Sequence, residues 1–115
     1  MSGGVGPDAA MNAFQATLER LRVEYVEGLG LRLVQARANL LACQAAPRDP
    51  APLQELQRQM HTMAGTAGTL GLMEVGARAR AIEIELDALS RLPDRVPGSF
   101  APIALQLQDL RVPHG

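Results

Sequence analysis

Met60-His61-Thr62-Met63-Ala64-Gly65-Thr66-Ala67-Gly68-Thr69-Leu70-Gly71-Leu72 decides how the rest of the chain is read. Its apolar members continue a helical stripe that begins upstream, Leu53, Leu56, Met60, Met63, Ala67 and Leu70, at spacings of three and four residues. Alongside it runs a second set, Gln54, Arg58, His61, Gly65 and Gly68, on a face turned away from the stripe. A glycine inside a helix costs up to about 1 kcal/mol relative to alanine, so Gly65 and Gly68 beside a single histidine call for a reason. Close approach of another molecule to His61 is one. Gly71 then reads as the left-handed residue that ends the helix, followed by the hydrophobic Leu72.

Working outward, Asp49-Pro50 is a start signal, an N-capping carboxylate followed by proline at the first helical position. Upstream, Phe14, Leu18, Leu21 and Tyr25 recur at helical spacing, and Leu29, Leu33, Ala36, Leu40 and Cys43 extend the rhythm. Gly28 and Gly30 interrupt this region, which therefore reads either as one helix with a weak point or as a short helix before a longer one. Asp8 is a candidate cap for it. Downstream, Val75, Ala79, Ile82, Leu86 and Leu89 form the stripe of a third helix, with Glu74, Arg78, Arg80, Glu83, Glu85 and Asp87 mostly outward and Pro93 limiting it. After a loop from Arg91 to Gly98, Ser99 is placed to cap a last helix carrying Phe100, Ile103, Leu107 and Leu110.

The expected fold class is all-α: an antiparallel up-and-down four-helix bundle with a possible short extra N-terminal helix. Residues 1–8 are expected to be a flexible lead, 9–111 the bundle and 112–115 a tail. The 115 residues suffice for one modest core, and a composition rich in Ala, Leu, Val and Met favours helix over sheet.

Charge and composition exclude several functions. Eleven basic residues, all Arg, against 12 acidic ones leave a net charge of −1, with no basic field to gather nucleic acid. No run of 18 apolar residues and no basic-then-apolar N-terminal pattern occurs, so a soluble cytoplasmic protein or domain, with no membrane partner, is expected. The lone Cys43 falls on the apolar stripe and is expected to be a buried, inert thiol. The glycines do not form a nucleotide loop, because there is no GxxxxGK[ST] spacing, no Lys and no preceding strand. No metal site is expected either: the only other histidine is His114 in the tail, and there is no HExxH or cysteine pair.

Histidine can itself be the nucleophile. An ordinary imidazole, with a pKa of about 6.5, is largely neutral near pH 7 and can attack a phosphoryl group. The donor would bring its own metal ion and electrostatics. The carrier then needs only a reachable ring and a slim surround, which Gly65, one turn beyond His61, and Gly68, another turn on, would provide.

His61-Thr62-Met63-Ala64-Gly65-Thr66-Ala67-Gly68-Thr69-Leu70-Gly71 resembles the signature of the histidine-containing phosphotransfer (HPt) domains of bacterial multistep phosphorelays, roughly His-x-Leu-Lys-Gly-Ser-Ala-x-x-Leu-Gly. The close match covers about a dozen residues, and helix order and lengths extend it over Phe14 to Leu110. The resemblance implies a four-helix bundle whose exposed histidine exchanges a phosphoryl group with receiver-domain aspartates. By position, His61 would be the phosphoacceptor, Gly65 the access glycine, and Met63, Ala67 and Leu70 core residues. It further implies response-regulator receivers and a hybrid sensor kinase as partners, Mg held by the receiver, no cofactor of the carrier's own, and a monomer.

The sequence departs from the pattern at Ala64, where the family usually has a lysine that lies near the histidine and helps with the phosphoryl charge. Arg58, one turn before His61, is a candidate substitute cation, and Arg78 and Arg80 on the next helix are others. Gln54, Gln57 and Thr62 are candidate docking-face residues. Two competing functions follow from the same residues: a helical docking module that binds a receiver or regulator without transfer, for which Ala64 speaks, and a plain structural bundle.

Overall fold

The computed structural model describes residues 6–113. Its elements are α1 (Pro7–Ala45), α2 (Pro50–Thr69), α3 (Met73–Ser90), a 3-10 turn (Pro97–Phe100) and α4 (Ala101–Asp109). The all-α bundle expected from the apolar spacing is the observed architecture. The expectations for residues 1–5 and for His114 fall outside the described residues.

Each helix boundary has a local cause. At the start of α2 the Asp49 carboxylate accepts a hydrogen bond from the Ala51 amide at 3.0 Å, with Pro50 in the first turn. At its end Gly71 takes φ 76°, the Leu72 amide donates to the Ala67 carbonyl at 2.8 Å, and the Gly71 amide donates to that of Gly68 at 3.1 Å. This paired arrangement satisfies carbonyls the helix would otherwise leave open and turns the chain back within three residues.

Of the two readings of the Gly28–Gly30 region, one continuous helix is the observed one. Gly28 and Gly30 do not divide the first helix, which runs unbroken from Pro7 through both; burial of the flanking Leu29 and Leu33 outweighs the glycine cost. Among the described residues there is thus no separate N-terminal helix, and three expectations are corrected. The helix begins at Pro7, inside the span assigned to the lead, and Gly6 rather than Asp8 is its N-cap. Second, Ser99 does not cap α4. Its hydroxyl accepts from the Val96 amide at 3.0 Å and closes the 3-10 turn, leaving Phe100 at the N-cap. Third, Val112 is not loose, because its side chain packs against the core.

The core gathers the inward stripes of all four helices: Leu29, Leu33, Ala36, Leu40 and Cys43 from α1, Leu53, Leu56, Met60, Met63 and Ala67 from α2, Val75, Ala79, Ile82 and Leu86 from α3, and Phe100, Ile103, Leu107 and Leu110 from the last segment. Cys43 is 1 % exposed, and burial, partly offset by the charge of Arg95, pushes its thiol up to about 11, which keeps it protonated. The N-terminal stripe behaves differently. Arg22 donates to the Leu70 carbonyl at 2.8 Å, marking where α1 passes the α2–α3 turn. Before that point Met11, Phe14 and Leu21 are exposed, so they do not join the core. At about 1.5 Å per residue the 39-residue α1 is about 58 Å long, more than the 20-residue α2 can cover.

At the opposite end Arg95 is 6 % exposed and donates to four backbone carbonyls: Pro47 at 2.8 Å, Leu92 at 2.8 Å, Leu89 at 3.2 Å and Arg48 at 3.4 Å. One side chain thereby ties the α1–α2 loop to the exit of α3, in a segment that reads in sequence only as a loop.

Candidate phosphotransfer site

The site is built on the α2–α3 hairpin. Gln57 Nε2 donates to Asp87 Oδ1 at 3.3 Å, His61 Nδ1 meets Glu83 Oε2 at 2.5 Å, and Gly76 lies against Gly68. Along α2 these positions advance by four and then seven residues, and along α3 they retreat by the same steps. The helices are therefore antiparallel in one fixed register, which sets Arg80 across from Ala64 and Ala79 across from Gly65.

Gly76 allows the helices to come this close. A Cβ on it would stand 3.3 Å from the Gly68 amide nitrogen and 3.5 Å from the Ala64 carbonyl oxygen. A side chain there would force the two backbones apart and lift Glu83 away from His61. Gly65 and Gly68 differ from it, because a Cβ on either would meet nothing within 4 Å. Their missing side chains therefore leave open space on this face of α2.

The His61 side chain is 72 % exposed, whereas Glu83 is 12 % exposed. Glu83 was read as an outward residue; instead its carboxylate sits in the seam and takes two donors, His61 on Oε2 and Arg80 Nη1 on Oε1 at 2.7 Å. Burial is the largest single influence on this carboxyl and pushes its pKa up. The hydrogen bonds from Arg80 and His61, with their charges, outweigh it and hold Glu83 below the usual carboxylate range. An ionised carboxylate can only accept, so Nδ1 of His61 is the donor and carries the proton. The lone pair of the neutral ring is then on Nε2, pointed away from Glu83.

The candidate cations are placed unequally. Arg58 Nε and Nη2 donate to the Glu55 carboxylate at 3.0 and 2.5 Å, and Arg58 borders a hollow toward α1 together with Tyr25, Arg32 and Thr62. Its pairing turns it from the α3 side, where His61 finds its partner. Arg78 pairs with Glu74 at 3.3 Å, one turn nearer the Gly71 reversal. Arg80 alone of the three shares a partner with His61. Ala64 is half-buried and packs on the core. Gln57 belongs to the hairpin seam through Asp87, while Gln54 and Thr62 are exposed on α2. Among the described residues no three His, Cys, Asp or Glu side chains converge as metal ligands.

Sequence reasoning missed the roles of Glu83 and Gly76. Counting outward from the Gly71 turn on both helices would have set Glu83 opposite His61, because the turn is short enough to fix the register.

The family model for the Hpt domain matches residues 17–111. No curated protein and no solved structure gives a match. Hpt domains carry phosphoryl groups on a histidine in phosphorelays and work with receiver domains and kinases. With four-fifths of its length covered, including the His61 helix and its α3 partner, this chain belongs to the Hpt domain family.

Proposed function

We propose that His61 is the phosphoacceptor of a carrier that relays a phosphoryl group to and from the aspartates of response-regulator receivers, fed by a hybrid sensor kinase in the cytoplasm. The observation that carries this reading is the exposed His61 side chain with Nδ1 engaged by Glu83, which leaves Nε2 as the nitrogen not held by the protein.

The chemistry follows from that tautomer. Nε2 attacks the phosphorus of an aspartyl phosphate, an N–P bond forms, the P–O bond to the aspartyl oxygen breaks, and the aspartate leaves as a carboxylate. The product ring carries a proton on Nδ1 and a positive charge, which the Glu83 carboxylate offsets at hydrogen-bond distance. In the reverse direction a receiver carboxylate attacks the same phosphorus and the neutral ring is the leaving group. Charge neutralisation at the receiver carboxylate falls to the receiver and its Mg ion, so the carrier needs no cofactor of its own. Gly65 and Gly68 keep the approach clear, and Gln54 and Thr62 on the same helix form the rim a receiver would meet.

The test is incubation with a phosphorylated receiver domain, followed on phosphate-affinity gels. Wild type takes up the phosphoryl group and His61→Gln does not. Gly65→Leu, which fills the approach without touching the core, slows uptake at least tenfold with a melting transition no lower than that of wild type. Binding of the receiver without uptake would identify a docking module instead.

A further inference from the structure

We propose that Arg80 binds the phosphoryl group carried by His61, reaching it from α3 across the gap over Ala64. The proposal rests on His61 being the phosphoacceptor.

In the resting protein Glu83 holds both groups, His61 through Oε2 and Arg80 through Oε1, so the guanidinium and the ring lie on adjacent oxygens of one carboxylate. Arg80 emerges opposite Ala64, three residues beyond His61, where α2 presents only a methyl group. Gly65 and Gly68 continue the same clearing. Arg80 is also 61 % exposed, so its long side chain has space to turn.

Charge balance favours the turn. Before phosphorylation Glu83 has Arg80 as its counter-ion. Phosphorylation makes the ring a cation, still donating from Nδ1 to Glu83, and adds a group of charge about −1.5 to −2 on the far nitrogen. Glu83 is then matched by the ring, and Arg80 is released to the phosphoryl oxygens, which a guanidinium grips in a bidentate fork. The other charges around His61 do not compete. Arg58 holds Glu55 one turn back on α2, Asp87 is engaged by Gln57 and Arg91 one turn along α3, and Arg78 is on Glu74.

A partner-free experiment tests this. The full chain is phosphorylated with potassium phosphoramidate, whose P–N bond breaks as the His61 Nε2–P bond forms and ammonia leaves with a proton. The phosphoryl group is then titrated by phosphorus NMR. A neighbouring cation favours the dianion, so Arg80→Ala is expected to raise its titration midpoint by about half to one pH unit. Arg80→Lys should fall between, and Arg58→Ala should titrate as wild type. Melting curves matching wild type establish that each variant is folded. A wild-type midpoint in Arg80→Ala, or a shift in Arg58→Ala instead, overturns the assignment and leaves His61 as acceptor. Absence of label on His61 overturns both the assignment and the proposed function.

Discussion

Glu83 accepts the Nδ1 proton of His61 at 2.5 Å from the neighbouring helix, and this one hydrogen bond fixes which ring nitrogen faces the solvent. Without it the neutral ring would divide between two tautomers, and its plane would be free to rotate. Glu83→Ala is therefore expected to lower the transfer rate between about 10- and 100-fold, the cost of losing a carboxylate that orients a working histidine in metal sites. Nitrogen NMR of the imidazole should show mixed protonation in the variant and a protonated Nδ1 in wild type. The fold should lose no more than about 1 kcal/mol, because His61 is a largely exposed partner.

The same carboxylate predicts a dependence on acid. Its folded-state pKa is depressed, so its contribution to stability is complete above the unfolded value of about 4.3 and is lost as the pH falls through the folded one. Wild type should exceed Glu83→Gln in thermal stability at pH 6, and the gap should close as the pH drops below about 4. A gap that widened in acid would mean that burial, not the Arg80 and His61 bonds, dominates at Glu83.

Glycines on the two sides of the hairpin should respond in opposite ways. Gly76→Val places side-chain atoms against the backbone of Gly68 and Ala64 and is expected to cost about 1–3 kcal/mol. It should also slow transfer by separating Glu83 from His61. Gly68→Ala meets open space and should gain about 0.5–1 kcal/mol from helix propensity. Urea melts of the two variants separate the packing glycine from the access glycine.

Arg95 should matter to stability although it lies beyond the end of α3 and makes no contact with His61. Its guanidinium serves four carbonyls that lose their donor in Arg95→Met, and hydrogen bonds to charged groups contribute about 1.5–3 kcal/mol each, so a loss of at least about 2 kcal/mol is expected. Transfer measured well below the melting temperature should change less than twofold.

These residues show how far the sequence could be read. Core positions were legible because each helix has a continuous apolar stripe, and the ends of α2 were legible because Asp49-Pro50 and Gly71 act through neighbours a few residues away. His61, Gly65 and Gly68 stood out because glycine in a helix has an intrinsic cost. Arg95 could not be seen, since its carbonyl partners come from Pro47 and Arg48, far back in the chain. The exposure of Phe14 and Leu21 was hidden for a similar reason, because spacing reveals a face and not what covers it. Arg58 and Arg80 looked alike as solvated charges until Glu55 and Glu83 separated them.

The central claim is that His61 carries the phosphoryl group on Nε2, and site mapping after transfer from a phosphorylated receiver tests it most directly. The phosphorylated chain would be digested under alkaline conditions, and the peptide containing His61 examined by mass spectrometry and phosphorus–nitrogen NMR. The account predicts one acid-labile, alkali-stable phosphoryl group, bonded to Nε2 of His61 and absent from His61→Gln. A phosphoryl group on Nδ1, on another residue, or retained in His61→Gln would contradict it.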